Sequence, residues 1–149
     1  MPEIAHIVRI QAPIDAVFRA VGTAAAIGHW FTEARAELDA VGEPLVLAFP
    51  EGEIGFVVTE RVENARVVWR CTSRDDRWYD TEIAFELVPD GDATRVRFDH
   101  RGWAAVTDFM RSCSMSWAYF LESLRLWLET GRGTPEGVAP PCDASEARA

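Results

Sequence analysis

The sequence predicts an α+β protein in which a single antiparallel sheet is covered by a long C-terminal helix. Three observations carry that prediction. Val106, Phe109, Met110, Cys113, Trp117, Phe120, Leu121, Leu124, Trp127 and Leu128 recur at spacings of three and four, which puts one apolar stripe on one helix. Between residues 34 and 101 the chain breaks into short runs rich in β-branched and aromatic residues, separated by turn formers. Several of those runs alternate apolar and polar residues, the signature of strands with one face buried and one face wet.

In chain order, residues 4–10 are β-branched and extended. Pro13 then sits where a first helical turn tolerates proline, and a short helix should run to Val21. Gly22 stops it, and Thr23 can cap a second short helix through Ala24, Ala25 and Ala26 to Trp30. Strands are expected at residues 34–38, 45–49, 54–62, 66–72, 81–88 and 93–101. Their turns are marked by Gly42, residues 50–52, Glu63-Asn64, residues 73–76 and residues 89–92. Alternation places Val67, Trp69 and Cys71, then Ile83, Phe85 and Leu87, then Val96, Phe98 and His100 towards the helix. Arg66, Arg70, Glu82, Glu86, Arg95, Arg97 and Asp99 face water, where they can pair across strands.

In the long helix, Asp108, Arg111, Ser112, Ser116, Glu122, Ser123, Arg125 and Glu129 take the other faces, and Gly131, Gly133 and Pro135 supply the stop. The stripe mixes rings with Met110, Met115 and Cys113, which suits irregular packing on a sheet better than a heptad seam. The domain is expected to span residues 1–131. Residues 132–149, rich in Gly, Pro and Ala, are expected to form a loose tail.

A length of 149 residues with 48% hydrophobic content is enough for one domain with its own core. A net charge of -9 argues against nucleic acid or an anionic membrane as principal partner, because neutralising phosphate requires clustered Lys and Arg. Cys71, Cys113 and Cys142 are odd in number, have no C-x-x-C spacing and follow no signal-peptide pattern, so free thiols in a reducing cytoplasm are expected. No transmembrane run is present.

The order of strand, two short helices, six strands and long C-terminal helix resembles the START-like, or SRPBCC, superfamily. Ala12-Pro13-Ile14-Asp15-Ala16-Val17-Phe18 resembles that family's opening A-P-x-x-x-V-[WF] segment, and His29-Trp30-Phe31 its W-F after the second helix. With Val67-Val68-Trp69, Gly102-Trp103 and residues 117–131, the chain is most similar to the branch named for the activator of the ninety-kilodalton heat-shock chaperone's ATPase. The resemblance covers roughly residues 4–131. It implies a helix-grip fold: a curved antiparallel sheet wrapped around the long helix, enclosing a hydrophobic cavity. It implies no single reaction, because members bind lipids, sterols, polyketides or hormones and some are enzymes. A chaperone-activating role is not expected of a chain with one domain and no segment resembling the activator's separate N-terminal domain.

Parity and the helical stripe then nominate cavity residues: Phe56, Trp69, Cys71, Phe85, Phe98, His100, Trp103, Phe109, Met110, Cys113 and Trp117. The same residues also read as ordinary core. Cys71 stands where the family often has an aromatic, so space is expected there and beneath Met110, Cys113 and Trp117. His100, aimed inward beside Trp103, is either a structural hydrogen-bonding group or one that orients a ligand carbonyl or moves a proton. The turn Arg74-Asp75-Asp76-Arg77 with Trp78-Tyr79-Asp80 is either a solvated hairpin end or a gate, with Arg77 for a carboxylate and Tyr79 as a hydrogen-bond donor. Ser112, Ser114 and Ser116 form no nucleophile elbow, and no metal-ligand spacing or phosphate-binding loop occurs.

The expected function is cytoplasmic binding of a small hydrophobic or amphipathic ligand between sheet and helix, without cofactor or metal, as a monomer or homodimer. A cofactor-independent cyclase, isomerase or hydrolase using His100 and Tyr79 is one alternative. A protein-binding regulator related to the chaperone activators is the other.

Overall fold

The computed structural model describes residues 1–136. Strand β1 (Glu3–Ile10) is followed by helices α1 (Ile14–Gly22) and α2 (Ala24–Ile27). Six strands follow, β2 (Ala34–Arg35), β3 (Pro44–Phe49), β4 (Gly52–Val62), β5 (Arg66–Cys71), β6 (Glu82–Asp90) and β7 (Ala93–Arg101), and then helix α3 (Asp108–Thr130). The strands form one antiparallel sheet in the order β1-β7-β6-β5-β4-β3-β2. This is the expected α+β helix-grip architecture, with α1 and α2 interrupting the sheet after β1.

The parity reading holds across the centre of the sheet. Val67, Trp69, Cys71, Ile83, Phe85, Leu87, Val96, Phe98 and His100 are all buried. The register pairs Trp69 with Ile83, Phe85 with Phe98, and Ile83 with His100, so the ring-bearing positions of neighbouring strands stack into one concave layer. On the opposite face Arg66 bridges Glu60 and Glu86, and Glu86 also meets Arg97. That face is not uniformly wet: Val68 and Ala84, paired across β5 and β6, are buried there too. Long arginine and glutamate stems can cover small apolar residues in this way while their charges stay in water.

A bulge in β4, between Val58 and Glu60, resets the alternation. Val62, which simple parity from Phe56 and Val58 would turn inward, is exposed, and Arg61 turns towards α1 instead. The Arg61 guanidinium lies 4.8 Å over the Phe18 ring and its Nε donates to the Gly22 carbonyl at 3.3 Å. One extra residue thus bends the strand and ties the sheet to the first helix.

Thr107 caps α3, its side-chain oxygen accepting the Met110 N–H, and Gly131 ends the helix in the left-handed region with φ 84°. Val106 therefore lies before the helix and is exposed, and Met115 points outward; neither belongs to the buried stripe assigned to them from sequence. Thr23 precedes α2 without a side-chain cap; its hydroxyl donates to the Arg19 carbonyl. Trp30 and Phe31 drop from the end of α2 into the core, Trp30 giving its indole N–H to the Ala20 carbonyl.

The chain beyond Gly131 differs from the expected loose tail as far as it is described. The Thr134 N–H donates to Ser123 Oγ at 2.6 Å and the Glu136 N–H to the Phe31 carbonyl at 2.6 Å. Ser123, assigned to the polar side of the helix by its chemistry, is fully buried beneath this segment. Gly133 is needed for the approach, since a Cβ there would sit 2.4 Å from the His29 carbonyl oxygen. The remainder of the tail, including Cys142, lies outside the described residues.

Candidate functional site

Eleven of the twelve residues nominated from sequence, Phe56, Trp69, Cys71, Phe85, Phe98, His100, Trp103, Phe109, Met110, Cys113 and Trp117, are buried together between sheet and α3. Tyr79 is not among them: it is 39% exposed, with the Arg74 guanidinium 5.5 Å from its ring centre. The rings make a continuous layer. Trp69 meets Phe85 at 5.3 Å, Phe85 meets Phe98 at 5.3 Å, and Phe98 meets Trp117 at 4.4 Å between centroids, with Phe31 adding a contact of 4.8 Å to Trp117.

Where space was expected beneath Cys113 and Trp117, the structure places the indole of Trp78. It stacks on Trp117 at 5.9 Å and 19°, stands edge-on to His100 at 5.0 Å, and reaches Phe49 and Phe56 at 6.2 Å each. Its Nε1–H donates to Cys113 Sγ at 3.4 Å, a weak acceptor. Phe56 is the direct cross-strand neighbour of Cys71, so the volume left by that small side chain adjoins the ring layer that Trp78 completes. Burial pushes the Cys71 thiol up to about 11; a hydrogen bond from the Ser73 backbone opposes the shift and the nearby Asp76 charge adds to it.

His100 is held at both ring nitrogens. An indole N–H can only donate, so the 3.0 Å bond from Trp117 Nε1 makes His100 Nδ1 an acceptor and leaves the hydrogen of a neutral ring on Nε2. That Nε2–H points at Thr81 Oγ, 2.8 Å away, and the Thr81 hydroxyl passes its own hydrogen to the Trp78 carbonyl at 2.6 Å. The His100 carbonyl in turn accepts from Trp103 Nε1 at 3.0 Å. This relay joins helix, sheet and the turn before β6, and it uses both nitrogens that acid–base chemistry would require. It favours the structural reading of His100.

An open cleft of about 530 Å³ lies beside this core, lined by Arg77, Trp103, Ala104, Ala105, Thr107, Asp108 and Phe109. The turn before β6 forms one wall, and the connection from β7 into α3 forms the other. The Arg77 guanidinium lies 4.7 Å from the Phe109 ring centre, while Asp108 is paired with Arg111 at 3.0 Å. The cleft therefore combines apolar walls with a cation at its rim. A second hollow, of about 370 Å³, lies between α1, α2 and the end of α3, where His29 stacks on Trp127. Among the described residues, no group of His, Cys, Asp and Glu is arranged to hold a metal, and no helix is long and apolar enough to cross a membrane.

Residues 11–129 match the sequence family described as Activator of Hsp90 ATPase homolog 1-like protein. The chain belongs to that family. Its structure is similar to the solution structure of the Aha1 dimer from Colwellia psychrerythraea, at 34% identity and a TM-score of 0.81, covering 89% of this chain and 100% of that one. Two more distant likenesses bear on the fold alone. CalU16 from Micromonospora echinospora is 20% identical with a TM-score of 0.71, covering 87% of this chain and 77% of that one. DynU16, from the dynemicin biosynthetic locus, is 20% identical with a TM-score of 0.75, covering 88% of this chain and 48% of that one. Comparison with curated proteins finds no match.

Within this Activator of Hsp90 ATPase homolog 1-like domain, the residue that sequence reasoning misplaced is Trp78. The sequence groups it with a charged turn, yet it is 2% exposed while residues 74, 75, 77, 79 and 80 around it are all exposed. A large apolar ring amid Arg and Asp was the available signal, because an indole is rarely left in water without a partner surface. Phe31 and Phe49, which complete the walls, come from a helix end and from a strand outside the set used to nominate the site.

Proposed function

We propose that this chain is a cytoplasmic binding protein for a small amphipathic molecule, an apolar body with an acidic group, taken up in the cleft between the turn before β6 and the start of α3. The observation that carries the reading is the cleft itself. Its volume of about 530 Å³ falls in the range of small-molecule sites, roughly 300–1,000 Å³, and its apolar walls carry a guanidinium at the rim. Trp103 and Phe109 supply the apolar contact, and Arg77 suits a carboxylate. Burying about eight methylene equivalents at ~0.8 kcal/mol each gives roughly 6 kcal/mol gross, which corresponds to a dissociation constant of tens of micromolar. The enzyme alternative is less supported, because both His100 ring nitrogens are engaged. The likeness to a dimeric relative supports a homodimer.

Titration with dodecanoate and naphthalene-2-carboxylate, read by tryptophan fluorescence and by native mass spectrometry, tests the reading. Saturable binding in the micromolar range is expected for at least one of them. Ala105→Trp, which fills the cleft, should weaken binding by about tenfold or more, and Arg77→Gln by several-fold. No saturable change with either probe would overturn the proposal.

The family description favours a second reading, a protein-binding regulator of a chaperone ATPase. Stimulation of a purified ninety-kilodalton chaperone's ATPase by this chain, insensitive to Ala105→Trp, would support that reading over the first.

A further inference from the structure

We infer that β1 is the homodimer interface: the free edge of the sheet pairs antiparallel with β1 of a second copy, about a two-fold axis at His6. The inference rests on the homodimer reading above and names the surface that reading leaves open. In the strand order, β1 and β2 are the two ends of the sheet. β2 has two residues, and the chain entering it already accepts the Glu136 N–H at the Phe31 carbonyl. β1 has eight residues, pairs with β7 at every one of them without a bulge, and has no described strand on its other side. Edges of that length are ordinarily blunted by proline, a bulge, or a lysine or other fixed charge near the middle. From Ile4 to Val8 this strand carries none of them. Ile7, near its centre, is 60% exposed.

The order of side chains along β1 selects a second copy as the partner. Residues directly opposite in an antiparallel pair share a face, so a two-fold axis normal to the sheet pairs only positions of equal parity. The two longest registers of that kind centre on His6 and on Ile7. Centred on His6, residues 3–9 face residues 9–3 of the copy. Glu3 then meets the partner's Arg9, Ala5 meets the partner's Ile7, and by symmetry each pair occurs twice. Centred on Ile7, Glu3 has no opposite residue in the strand and Arg9 falls against Ala5. Glu3, Ala5, Ile7 and Arg9 are the exposed residues of β1, so the first register joins opposite charges at both ends and apolar side chains between them. Within its own chain Arg9 pairs with Asp90 at 2.9 Å, and Asp90 also meets Arg95, so the partner's Glu3 extends an existing row of alternating charges. On the inner face the axis residue is held in place, His6 Nε2 donating to the Ser114 carbonyl of α3 at 3.1 Å. Met115, next to Ser114 on the helix, is 76% exposed.

Analytical ultracentrifugation of the full chain tests the pairing. The wild type should show a monomer–dimer equilibrium. Ile7→Lys, which puts two ammonium groups in the middle of the shared face, should raise the dissociation constant by about tenfold or more. Because Ile7 is exposed in the monomer, circular dichroism and melting of the monomeric variant should show an intact fold. In a Cys142→Ser background, where Cys71 and Cys113 are buried, Ala5→Cys and Ile7→Cys should form a disulfide-linked dimer when mixed and not when alone. The register sets residue 5 opposite residue 7 of the partner and leaves each residue diagonal to its own copy, beyond disulfide reach. Linking of Ile7→Cys with itself would centre the axis on Ile7 and overturn the pairing. A wild-type dimer that survives Ile7→Lys and gives no mixed disulfide would overturn the inference while the homodimer reading stands. A wild type that stays monomeric up to about millimolar concentration would overturn both.

Discussion

His100 shows how a residue with catalytic potential can be fully absorbed by structure. Its imidazole accepts from Trp117, donates to Thr81 and packs against Trp78 and Trp103. Replacing it with Gln preserves one of the two side-chain hydrogen bonds and strands the other partner. We expect His100→Gln to cost about 1–3 kcal/mol in urea unfolding and to leave naphthalene-2-carboxylate affinity within about tenfold. Loss of a measurable turnover with folding intact would instead assign the residue a chemical role. Cys71 gives a pH dependence whose sign follows from burial. Its folded pKa is pushed from the ordinary value of 9.0 to about 11, so the unfolded chain ionises first as pH rises. The stability it contributes is complete below about pH 9 and is lost as pH climbs towards 11. Unfolding free energies measured at pH 8, 9, 10 and 11 should fall more steeply for the wild type than for Cys71→Ala, and equal slopes would contradict this account.

At the scale of elements, α3 is stabilised by more than its apolar stripe. Arg125 is paired with both Glu122 and Glu129, and Thr107 and Gly131 close the two ends. The chain after Gly131 then folds back over Ser123, a small hydroxyl that is buried because it accepts the Thr134 N–H. A chain ending at Gly133 should therefore be less stable than one ending at Glu136 by about 1–3 kcal/mol, a few degrees in Tm, since it lacks the bonds to Ser123 and Phe31. Gly133→Ala should show a comparable loss, because the new Cβ would meet backbone rather than a movable side chain. Identical melting of the two truncations would show that these bonds contribute nothing.

At the scale of the molecule, the sheet presents one face to the core and the other to solvent, with the second face laced by Arg9–Asp90–Arg95, Arg66–Glu86–Arg97 and Arg101–Glu82. Exposed pairs of this kind contribute little individually, but they leave few arginines of the sheet unaccompanied by acids. With a net charge of -9, the protein should flow through a heparin column and leave duplex DNA unshifted at about 0.15 M salt. Retention that weakens steeply with added salt would reveal a basic surface that this charge distribution does not provide.

What the sequence determined by itself was everything set by local periodicity. The spacing of Phe109, Met110, Cys113, Trp117 and Leu124 was enough to place α3, and alternation in β5, β6 and β7 was enough to aim Trp69, Phe85, Phe98 and His100 inward. The same patterns, punctuated by the turn formers, were enough for the order of elements, and that order carries the family resemblance. What the tertiary structure decided depends on residues far apart in the chain. The bulge in β4 reverses the parity of Arg61 and Val62 because α1 offers Phe18 and the Gly22 carbonyl as partners. Ser123 is buried only because residues 134–136 return to it. Trp78 lies in a stretch whose composition says turn, and it enters the core because Phe49, Phe56, His100, Cys113 and Trp117, drawn from β3, β4, β7 and α3, leave a ring-shaped space. A pattern within a segment reports which face of that segment is apolar; the shape of the space between segments exists only once they have packed.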